Sequence, residues 1–267
     1  MVFLCYNEYA IKMKEARKMC YRLKGNKAIV TGASRGIGFA IARELAKNGC
    51  DVVITGRNID TLRQATEKMS GHVIPMVWDA SRLTDAEEKI QEAAELMNGL
   101  DIVVNNAGIF PKRSEWNKTG LLSTTVEEWE SVMQTNTSSI FFTMQAAVKY
   151  MLEKGVKGNI LNVTSVAGYE PVFGAYGASK TAATGLTRGW GKMFAKDGIT
   201  INGIAPGPVA TEMNNWHEGD PMEHSRIPFG RFSTIDEVAK LAMYLLSKEA
   251  EMVCGETVVL DGGYAIR

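Results

Sequence analysis

The alternation of two kinds of segment after Lys27 constrains the fold of this chain more than any other feature. Short apolar runs rich in β-branched residues alternate with longer segments in which apolar residues recur at helical spacing. The predicted strands are Ala28–Thr31, Asp51–Thr55, Val73–Trp78, Ile102–Asn105, Asn159–Thr164, Thr200–Ile204 and Thr257–Leu260. The predicted helices are Ile37–Asn48, Ile59–Met69, Thr84–Met97, Val126–Lys154, Tyr176–Lys196 and Ile235–Leu246. Short strands that are apolar on both faces are typical of a parallel sheet with helices on both faces. We therefore predict a doubly wound α/β fold, in a single domain with a seven-stranded parallel sheet.

The length and the charge of the chain limit its organisation and its partners. Its 267 residues suit one doubly wound domain, which we predict to span residues 23–267. Residues 1–22 are expected to form a flexible or helical extension, unless translation begins at Met13 or Met19. Lysine and arginine total 30, as do aspartate and glutamate. This balance disfavours nucleic acid or an acidic membrane surface as a partner.

The apolar segments and the cysteines bear on the cellular compartment of the protein. The apolar start, residues 1–5, is too short for a secretory signal, and no later run approaches the length of a membrane span. The four cysteines and three histidines show no metal-ligand spacing, so no metal site is predicted. We expect reduced thiols and a cytoplasmic protein.

A glycine-rich stretch, Thr31 to Gly38, separates the first predicted strand from the first predicted helix. Glycines at such a turn let the backbone bend sharply and approach a pyrophosphate, and the helix N-terminus offers free N–H groups to its oxygens. An ordinary tight turn is the alternative, but the position between strand and helix favours a dinucleotide site of the Rossmann type. The residues expected to line it are Gly32, Ser34, Arg35, Gly36, Ile37 and Gly38.

The end of the second predicted strand bears on which dinucleotide binds. An acidic residue there would bond the ribose hydroxyls of NAD and repel the 2′-phosphate of NADP. This chain has Gly56 near that position, followed by Arg57, and Arg35 adds a second guanidinium from the glycine-rich stretch. Arginines match phosphate oxygens geometrically and keep their charge. Two solvated surface arginines are the alternative, but with the acid missing we predict NADP(H).

Tyr176 and Lys180 are four residues apart in a predicted helix, so their side chains share one face. A nearby ammonium favours the phenolate, so we expect the pKa of Tyr176 to lie below its usual value of about 10. The tyrosine would then exchange a proton with a substrate oxygen. Ser165, at the end of the fifth predicted strand, would donate a hydrogen bond to that oxygen.

Several motifs together resemble those of the classical short-chain dehydrogenases/reductases. The stretch from Thr31 to Gly38 matches their T-G-x-x-x-G-x-G motif, and the other matches follow in the family's order. These are Asn105-Asn106-Ala107-Gly108, Asn136, Ser165, Tyr176-x-x-x-Lys180 and Pro206-Gly207. The resemblance covers the chain from about Leu23 to its end. It implies hydride transfer between a nicotinamide cofactor and a carbonyl or an alcohol, without a metal.

The resemblance also implies roles for individual residues. The catalytic set would be Asn136, Ser165, Tyr176 and Lys180. Tyr176 and Lys180 would also contact the cofactor, with Lys180 bonding the nicotinamide ribose, and Asn136 would hold a water in a proton relay behind the lysine. Asp79 would contact the adenine. Further cofactor contacts would come from Asn106, Ala107, Gly108, Pro206, Gly207, Val209 and Thr211.

A homo-tetramer is a further implication of the resemblance. The helices matching Val126–Lys154 and Tyr176–Lys196 would pack across one two-fold axis, and the last strand with its helix across another. Apolar residues in these helices suit such a surface or ordinary core packing. They are Phe141, Phe142, Ala146, Ala147, Trp190 and Phe194.

Two irregular segments, Gly108–Leu122 and Pro206–Gly230, follow predicted strands, and we expect a substrate loop at about residues 208–229. Candidate wall residues are Ile109, Phe110, Trp116, Tyr169, Val172, Phe173, Met213, Trp216 and Met222. This apolar set favours a hydrophobic or ring-bearing carbonyl substrate of the hydroxysteroid kind, although it suits loop packing nearly as well. Lys112, Arg113 and His217 would instead suit a polar or acidic substrate. The loop Val166–Ala175 is shorter than in many family members, which is expected to change specificity more than mechanism.

Other functions stay open at this point. A 3-oxoacyl-carrier-protein reductase often carries arginine where this chain has Asp197, and a like charge would repel an acidic carrier. A sugar or polyol dehydrogenase is a third alternative, which the motifs do not exclude. A regulatory protein that binds NADP without chemistry would be expected to lack a reactive side chain, and none of the four is missing.

Overall fold

The structure, a computed structural model, describes residue 23, residues 25–111 and residues 118–265. Seven parallel strands form one sheet in the order β3-β2-β1-β4-β5-β6-β7. They are β1 (Lys27–Val30), β2 (Asp51–Gly56), β3 (Val73–Val77), β4 (Ile102–Asn105), β5 (Asn159–Val163), β6 (Thr200–Pro206) and β7 (Thr257–Leu260). The predicted doubly wound fold is confirmed, with small differences at the strand ends.

The helices follow the predicted positions closely. They are α1 (Gly36–Lys47), α2 (Ile59–Thr66), α3 (Ala86–Met97), α4 (Lys118–Leu122), α5 (Val126–Met133), α6 (Ser139–Lys154), α7 (Ala175–Phe194) and α8 (Ile235–Leu245). The short helix α4 was not predicted. A π-helical segment, Gln134–Ser138, interrupts the helix predicted over Val126–Lys154.

Local sequence explains where several helices begin and end. The side chain of Asn58 caps α2 by accepting from the N–H groups of Asp60 and Thr61, and Thr125 caps α5 in the same way. Gly155 ends α6 with a φ of 65°, a left-handed conformation that glycine adopts without strain.

Two apolar clusters cover the two faces of the sheet. One contains Ile41 and Leu45 of α1 together with Val238 of α8. The other contains Ile90 of α3 and Met144 of α6. Such layers on both faces explain why the strands are apolar on both sides. Ala146 and Ala147 are buried in the second cluster, so these two residues belong to the core and not to a subunit surface.

The sheet reverses its strand order at β1, which has β2 on one side and β4 on the other. Open α/β sheets bind ligands at such a switch point, outside the carboxyl ends of the strands. The glycine-rich stretch follows β1 and the Asn105–Gly108 motif follows β4, so the fold brings the two together. No helix within the described residues is long and apolar enough to cross a membrane.

Candidate active site

The glycine loop, residues Thr31 to Gly38, lies directly against the end of β4. At Gly32, where φ is 63°, an added Cβ would lie 2.9 Å from the Cα of Ala107. At Gly38 an added Cβ would lie 2.3 Å from Nδ2 of Asn106. That amide donates hydrogen bonds of 2.9 Å to the carbonyls of Thr31 and Gly32. Only glycine fits these two positions, because Gly32 lies against the backbone of Ala107 and Gly38 lies against the Asn106 side chain and the Gly32 carbonyl.

Thr31 contributes a contact that the sequence did not reveal. Its hydroxyl accepts hydrogen bonds from the backbone N–H groups of Asn106 and Ala107, each of 3.0 Å. This side chain therefore fixes the end of β4 to the start of the glycine loop. Ser34 and Ile37, two of the predicted dinucleotide contacts, are half-buried.

The two arginines predicted to meet a 2′-phosphate lie on neighbouring strand ends. Arg35 precedes α1 and forms an ion pair with Glu212. Arg57 follows β2 and is exposed in a cleft that it shares with Asp79. Asp79 accepts hydrogen bonds from the N–H and hydroxyl of Ser81, so it also closes a local turn.

The segment that follows β6 is fixed to the end of β7 by a backbone hydrogen bond and close packing. Gly207 donates a hydrogen bond of 2.9 Å to the carbonyl of Leu260, and an added Cβ there would lie 2.7 Å from the Cβ of Asp261. Pro206 is buried at the end of β6. The side chain of Val209 is 2% exposed and belongs to the core, and its carbonyl accepts a hydrogen bond of 2.8 Å from the Asn214 side chain. Thr211 begins the short turn Glu212–Asn214.

Tyr176 and Ser165 are brought together by the first turn of α7 and the end of β5. The Ser165 side chain hydrogen-bonds the Tyr176 hydroxyl, which lowers the pKa of that tyrosine, but burial raises the pKa by more. The expectation that the pKa of Tyr176 lies below its usual value is therefore wrong for this structure, in which the phenol is the favoured form. Ser165 also accepts from the N–H of Ala167, and so caps a short turn as well.

Lys180 lies on the same face of α7 and is buried. Its ammonium donates a hydrogen bond of 3.1 Å to the carbonyl of Val163, and Nζ lies 5.7 Å from the centroid of the Tyr176 ring. Removal from water lowers the pKa of Lys180 to about 8. With a pKa of about 8 the amine is still mostly protonated at pH 7, and it loses its charge as the pH rises through 8.

Asn136 lies in the π-helical segment and is fully buried. Its side-chain oxygen accepts from the N–H of Ile109 at 2.8 Å, and its Nδ2 donates to the carbonyl of Ile109 at 2.9 Å. Nδ2 also lies 3.2 Å from the hydroxyl of Ser179. The side chain therefore ties the loop after β4 to α7, one residue before Lys180. Single-turn π segments often occur at functional sites.

A second set of buried polar side chains escaped the sequence analysis. Asn105 donates to the side-chain oxygen of Asn162 at 2.8 Å, and Asn162 donates to the hydroxyl of Thr187 at 2.9 Å. These residues join β4, β5 and α7 beneath the site. The sequence offered one signal for this contact, an asparagine near the end of each of two predicted strands. Their pairing, Asn105↔Asn162, depends on the register of β4 and β5, which the sequence does not give.

The predicted substrate wall is only partly assembled around Tyr176. Phe110 packs on the Tyr176 ring with a centroid distance of 4.6 Å. Tyr169, Val172, Phe173 and Met213 are exposed, whereas Ile109, Trp216 and Met222 are half-buried. Lys112, Arg113 and Trp116 lie outside the described residues. The hydroxyl of Tyr169 donates to the carbonyl of Thr257, so that ring is directed towards β7.

Comparison with known proteins gives the same assignment as the motifs. A family model described as enoyl-(acyl carrier protein) reductase matches residues 32–265. A short-chain type dehydrogenase/reductase from Mycobacterium marinum has a similar structure, with a TM-score of 0.82 and 29% identity over 93% of this chain and 98% of that one. The chain belongs to the short-chain dehydrogenase/reductase family. It is thus an oxidoreductase of a family whose members act on CH–OH groups of small molecules.

Other members of the short-chain dehydrogenase/reductase family differ in substrate. A 3-oxoacyl-[acyl-carrier-protein] reductase from Thermotoga maritima is 34% identical over 92% of this chain and 100% of that protein. A putative 2-deoxy-d-gluconate 3-dehydrogenase from Agrobacterium tumefaciens, solved with bound NADP, is 33% identical with a TM-score of 0.81. The match covers 94% of this chain and 100% of that one. Relatives of similar identity therefore span fatty-acyl and sugar-acid chemistry, so overall likeness does not select a substrate.

Proposed function

We propose that the protein is an NADP(H)-dependent oxidoreductase that interconverts a ketone and a secondary alcohol by hydride transfer, with Tyr176 as general acid and base. One observation carries this proposal. The Tyr176 hydroxyl bonds Ser165, and Lys180 lies one turn further along the same helix, with its ammonium 5.7 Å from the tyrosine ring. The resulting pair of hydroxyl groups is suited to hold a substrate oxygen.

The residues of the glycine loop fit a dinucleotide. Gly32 and Gly38 bring the loop against Ala107 and Asn106, which directly follow β4. The nearest atom to an added Cβ at Gly36 would be Cγ2 of Thr211, at 4.0 Å. The loop would hold the pyrophosphate through Gly32, Ser34, Gly36, Ile37 and Gly38, and Arg35 would face the 2′-phosphate. Asp79 would bond the adenine. The nicotinamide end would meet Asn106, Ala107, Gly108, Lys180, Pro206, Gly207, Val209 and Thr211. When bound, the nicotinamide supplies or accepts the hydride.

The chain's own residues would move the proton. Burial favours the neutral phenol of Tyr176, which is the form that donates a proton to a carbonyl oxygen during reduction. Ser165 would donate a second hydrogen bond and stabilise the charge that develops on that oxygen. After Tyr176 has given up its proton, Lys180 would supply a proton to the resulting phenolate. A pKa of about 8 lets the Lys180 amine both accept and release a proton near neutral pH. Since the Asn136 side chain already bonds Ile109, a relay water would be held by the Asn136 backbone carbonyl.

NADP(H) rather than NAD(H) is the proposed coenzyme. Gly56 ends β2 without a carboxylate, and the exposed Arg57 follows it. Arg35 adds a guanidinium from the neighbouring strand end. The relative from Agrobacterium tumefaciens that was solved with bound NADP supports the same choice.

The substrate proposed is a hydrophobic or ring-bearing ketone or alcohol of the hydroxysteroid kind. Phe110 lies against Tyr176, and Val172 and Phe173 present exposed apolar surface on the loop before α7. A sugar acid or polyol is the second candidate, because the structurally similar relative from Agrobacterium tumefaciens is named for such a substrate. A panel of ketones, secondary alcohols and sugar acids, assayed by NADPH absorbance beside NADH, separates the two.

Replacement of Tyr176 by phenylalanine tests the proposed chemistry. Tyr176→Phe removes the hydroxyl and keeps the ring, so turnover on the best panel substrate should fall at least about 100-fold. The Kd for NADP⁺ should change by less than about threefold, because the glycine loop is untouched. Stopped-flow absorbance and fluorescence titration measure the two quantities.

A matched control removes a hydroxyl elsewhere. Tyr244, on α8, is exposed and remote from the site, so Tyr244→Phe should keep full turnover. Retention of turnover by Tyr176→Phe would rule out the proposed role of this residue. Nucleotide binding by the unaltered protein without turnover on any substrate would instead favour a regulatory NADP-binding function.

The remaining proposals concern the whole protein. We propose that residues 23–267 act as one catalytic domain with a substrate loop at about 208–229, and that residues 1–22, which lie outside the described residues, form an extension. The active form is proposed to be a homo-tetramer in the cytoplasm, without nucleic acid or membrane as a partner.

A further inference from the structure

The two arginines at the adenosine end of the groove differ in their ionic contacts. Arg57 is exposed and forms no ion pair with a carboxylate within the part of the chain that the structure describes. Arg35 forms an ion pair with Glu212. One of the two guanidinium groups expected to meet a 2′-phosphate is therefore already engaged by a carboxylate of the chain itself.

The contact joins the glycine loop to the loop that follows β6. An added Cβ at Gly36 would lie 4.0 Å from Cγ2 of Thr211, so the two loops run side by side. Glu212 begins an ordered turn, since the N–H groups of Asn214 and Trp216 donate to the carbonyl of Thr211 at 2.9 and 3.1 Å. The backbone that carries Glu212 is thus ordered beside the glycine loop, and the carboxylate pairs with Arg35.

We propose that Glu212 is a specificity-determining residue for the coenzyme, because it competes with the 2′-phosphate of NADP(H) for Arg35. This inference rests on the proposed NADP(H) dependence. NAD(H) carries no phosphate at that position, so it binds without breaking the ion pair. NADP(H) must displace the Glu212 carboxylate to use Arg35, and its affinity is reduced accordingly.

Exposure of the pair makes such an exchange feasible. The side chains of Arg35 and Glu212 are 76% and 61% exposed, so water and a ligand phosphate can reach the guanidinium. Exposed ion pairs stabilise proteins by about 1 kcal/mol or less. A phosphate of nearly two charges is the stronger partner for arginine. Glu212 should therefore weaken NADP(H) binding by about two- to fivefold, without abolishing it.

The test compares ligands with and without the 2′-phosphate. Kd values for NADP⁺, NAD⁺, 2′,5′-ADP and 5′-AMP are measured by calorimetry on the full chain and on Glu212→Gln. The substitution should lower the Kd of NADP⁺ and 2′,5′-ADP about two- to fivefold and leave NAD⁺ and 5′-AMP unchanged. Glu218→Gln removes the same charge from an exposed position of the same loop and should change none of the four.

A double substitution identifies Arg35 as the shared partner. In an Arg35→Ala background, Glu212→Gln should no longer improve NADP⁺ binding, since the competition has lost its target. An improvement of the same size in that background would overturn the inference. So would an equal improvement for NAD⁺, because that result would indicate general closure of the groove by the ion pair.

Failure of the inference is distinguishable from failure of the proposed function. Equal Kd values for NADP⁺ and NAD⁺ in the unaltered protein would contradict the proposed coenzyme preference, and the inference with it. A clear preference for NADP⁺ that Glu212→Gln does not increase would overturn the role of Glu212 alone.

Discussion

Lys180 is the residue whose environment differs most from that of an ordinary lysine. Its side chain is 5% exposed, and burial lowers its pKa from 10.5 to about 8. The folded protein therefore disfavours the ammonium form. Below pH 8 this penalty is fully present. Between pH 8 and 10.5 the unfolded chain binds more protons than the folded one, so stability rises with pH across that window.

Replacement of Lys180 by methionine tests this assignment. Lys180→Met has no ionisable group at this position, so it should gain stability relative to the unaltered protein at pH 7 and lose that advantage by pH 10. The change between the two pH values should reach at most about 3 kcal/mol in the free energy of unfolding. Urea unfolding followed by circular dichroism at pH 7, 8.5 and 10 measures it. Lys192→Met, at an exposed position of α7, serves as the control and should show no such pH dependence.

A difference between Lys180→Met and the unaltered protein that stays constant with pH would contradict the assignment.

Lys180 also shows which features of the site residue spacing can predict and which it cannot. Four residues of separation correctly placed Tyr176 and Lys180 on one helix face. The extent of their burial depends on Gly168, Val163 and other residues distant in sequence, and so the direction of the Tyr176 pKa shift was missed.

The N-terminus of α8 is closed by a capping box. Thr234 and Glu237 cap it reciprocally, with the Thr234 N–H donating to Glu237 at 2.8 Å. Glu237 also accepts two hydrogen bonds from Arg231, of 2.7 and 3.0 Å. The Arg231 contacts and the backbone N–H of Thr234 lower the pKa of Glu237 from 4.5 to about 2. Since α8 packs on α1, the cap supports the helix that follows the glycine loop.

Loss of this carboxylate should destabilise the protein in a pH-dependent way. Glu237→Gln should lower the free energy of unfolding by about 1 kcal/mol at pH 7, a value that allows for solvent screening of a side chain that is 37% exposed. Because the folded pKa is depressed, the contribution is complete above pH 4.5 and is lost as pH falls towards 2. Thermal and urea unfolding at pH 7, 5 and 3.5 should show the two proteins converging.

The neighbouring aspartate provides the control for Glu237. Asp236 lies in the same helical turn and pairs with Arg43 at the surface, so Asp236→Asn should change stability by less than about 0.5 kcal/mol. If Glu237→Gln behaved like Asp236→Asn at every pH, the capping box would contribute nothing beyond surface charge.

Elements with a strong periodic pattern could be predicted from the sequence, and elements defined by tertiary contacts could not. The strand Ile102–Asn105 and the helix start at Ile235 were predicted correctly, because apolar spacing is a local signal. The π-helical segment was not predicted. Its position depends on the bonds from Asn136 to Ile109 and Ser179, which only the folded chain brings together. The buried link from Asn162 to Thr187 was missed for the same reason.

At the scale of the whole molecule, an aromatic row crosses from α6 to α7. Phe141 lies 5.3 Å from both Phe142 and Trp190 between ring centroids, and Trp190 lies 5.4 Å from Phe194. Phe142 is 38% exposed and lines an apolar hollow with Leu83. Phe141, Trp190 and Phe194 are half-buried, so the exposed apolar part of the row is centred on Phe142. Exposed apolar patches are often found at protein–protein interfaces. These aromatic residues were predicted from the sequence as interface or core residues together with Ala146 and Ala147. The structure shows that the two alanines belong to the core.

We expect this row to lie in a subunit interface of the proposed homo-tetramer. Light scattering on the protein in solution should give a molecular mass four times that of the chain. This mass should not depend on salt concentration, because the proposed interface is apolar. Phe142→Asp should shift the population to smaller species, since an unpaired carboxylate would be buried in the interface. Leu96→Asp, at an exposed position of α3, is the matched control and should remain tetrameric. Circular dichroism would verify that both variants fold. A monomeric unaltered protein would contradict the tetramer, and a tetrameric Phe142→Asp would move the interface away from α6.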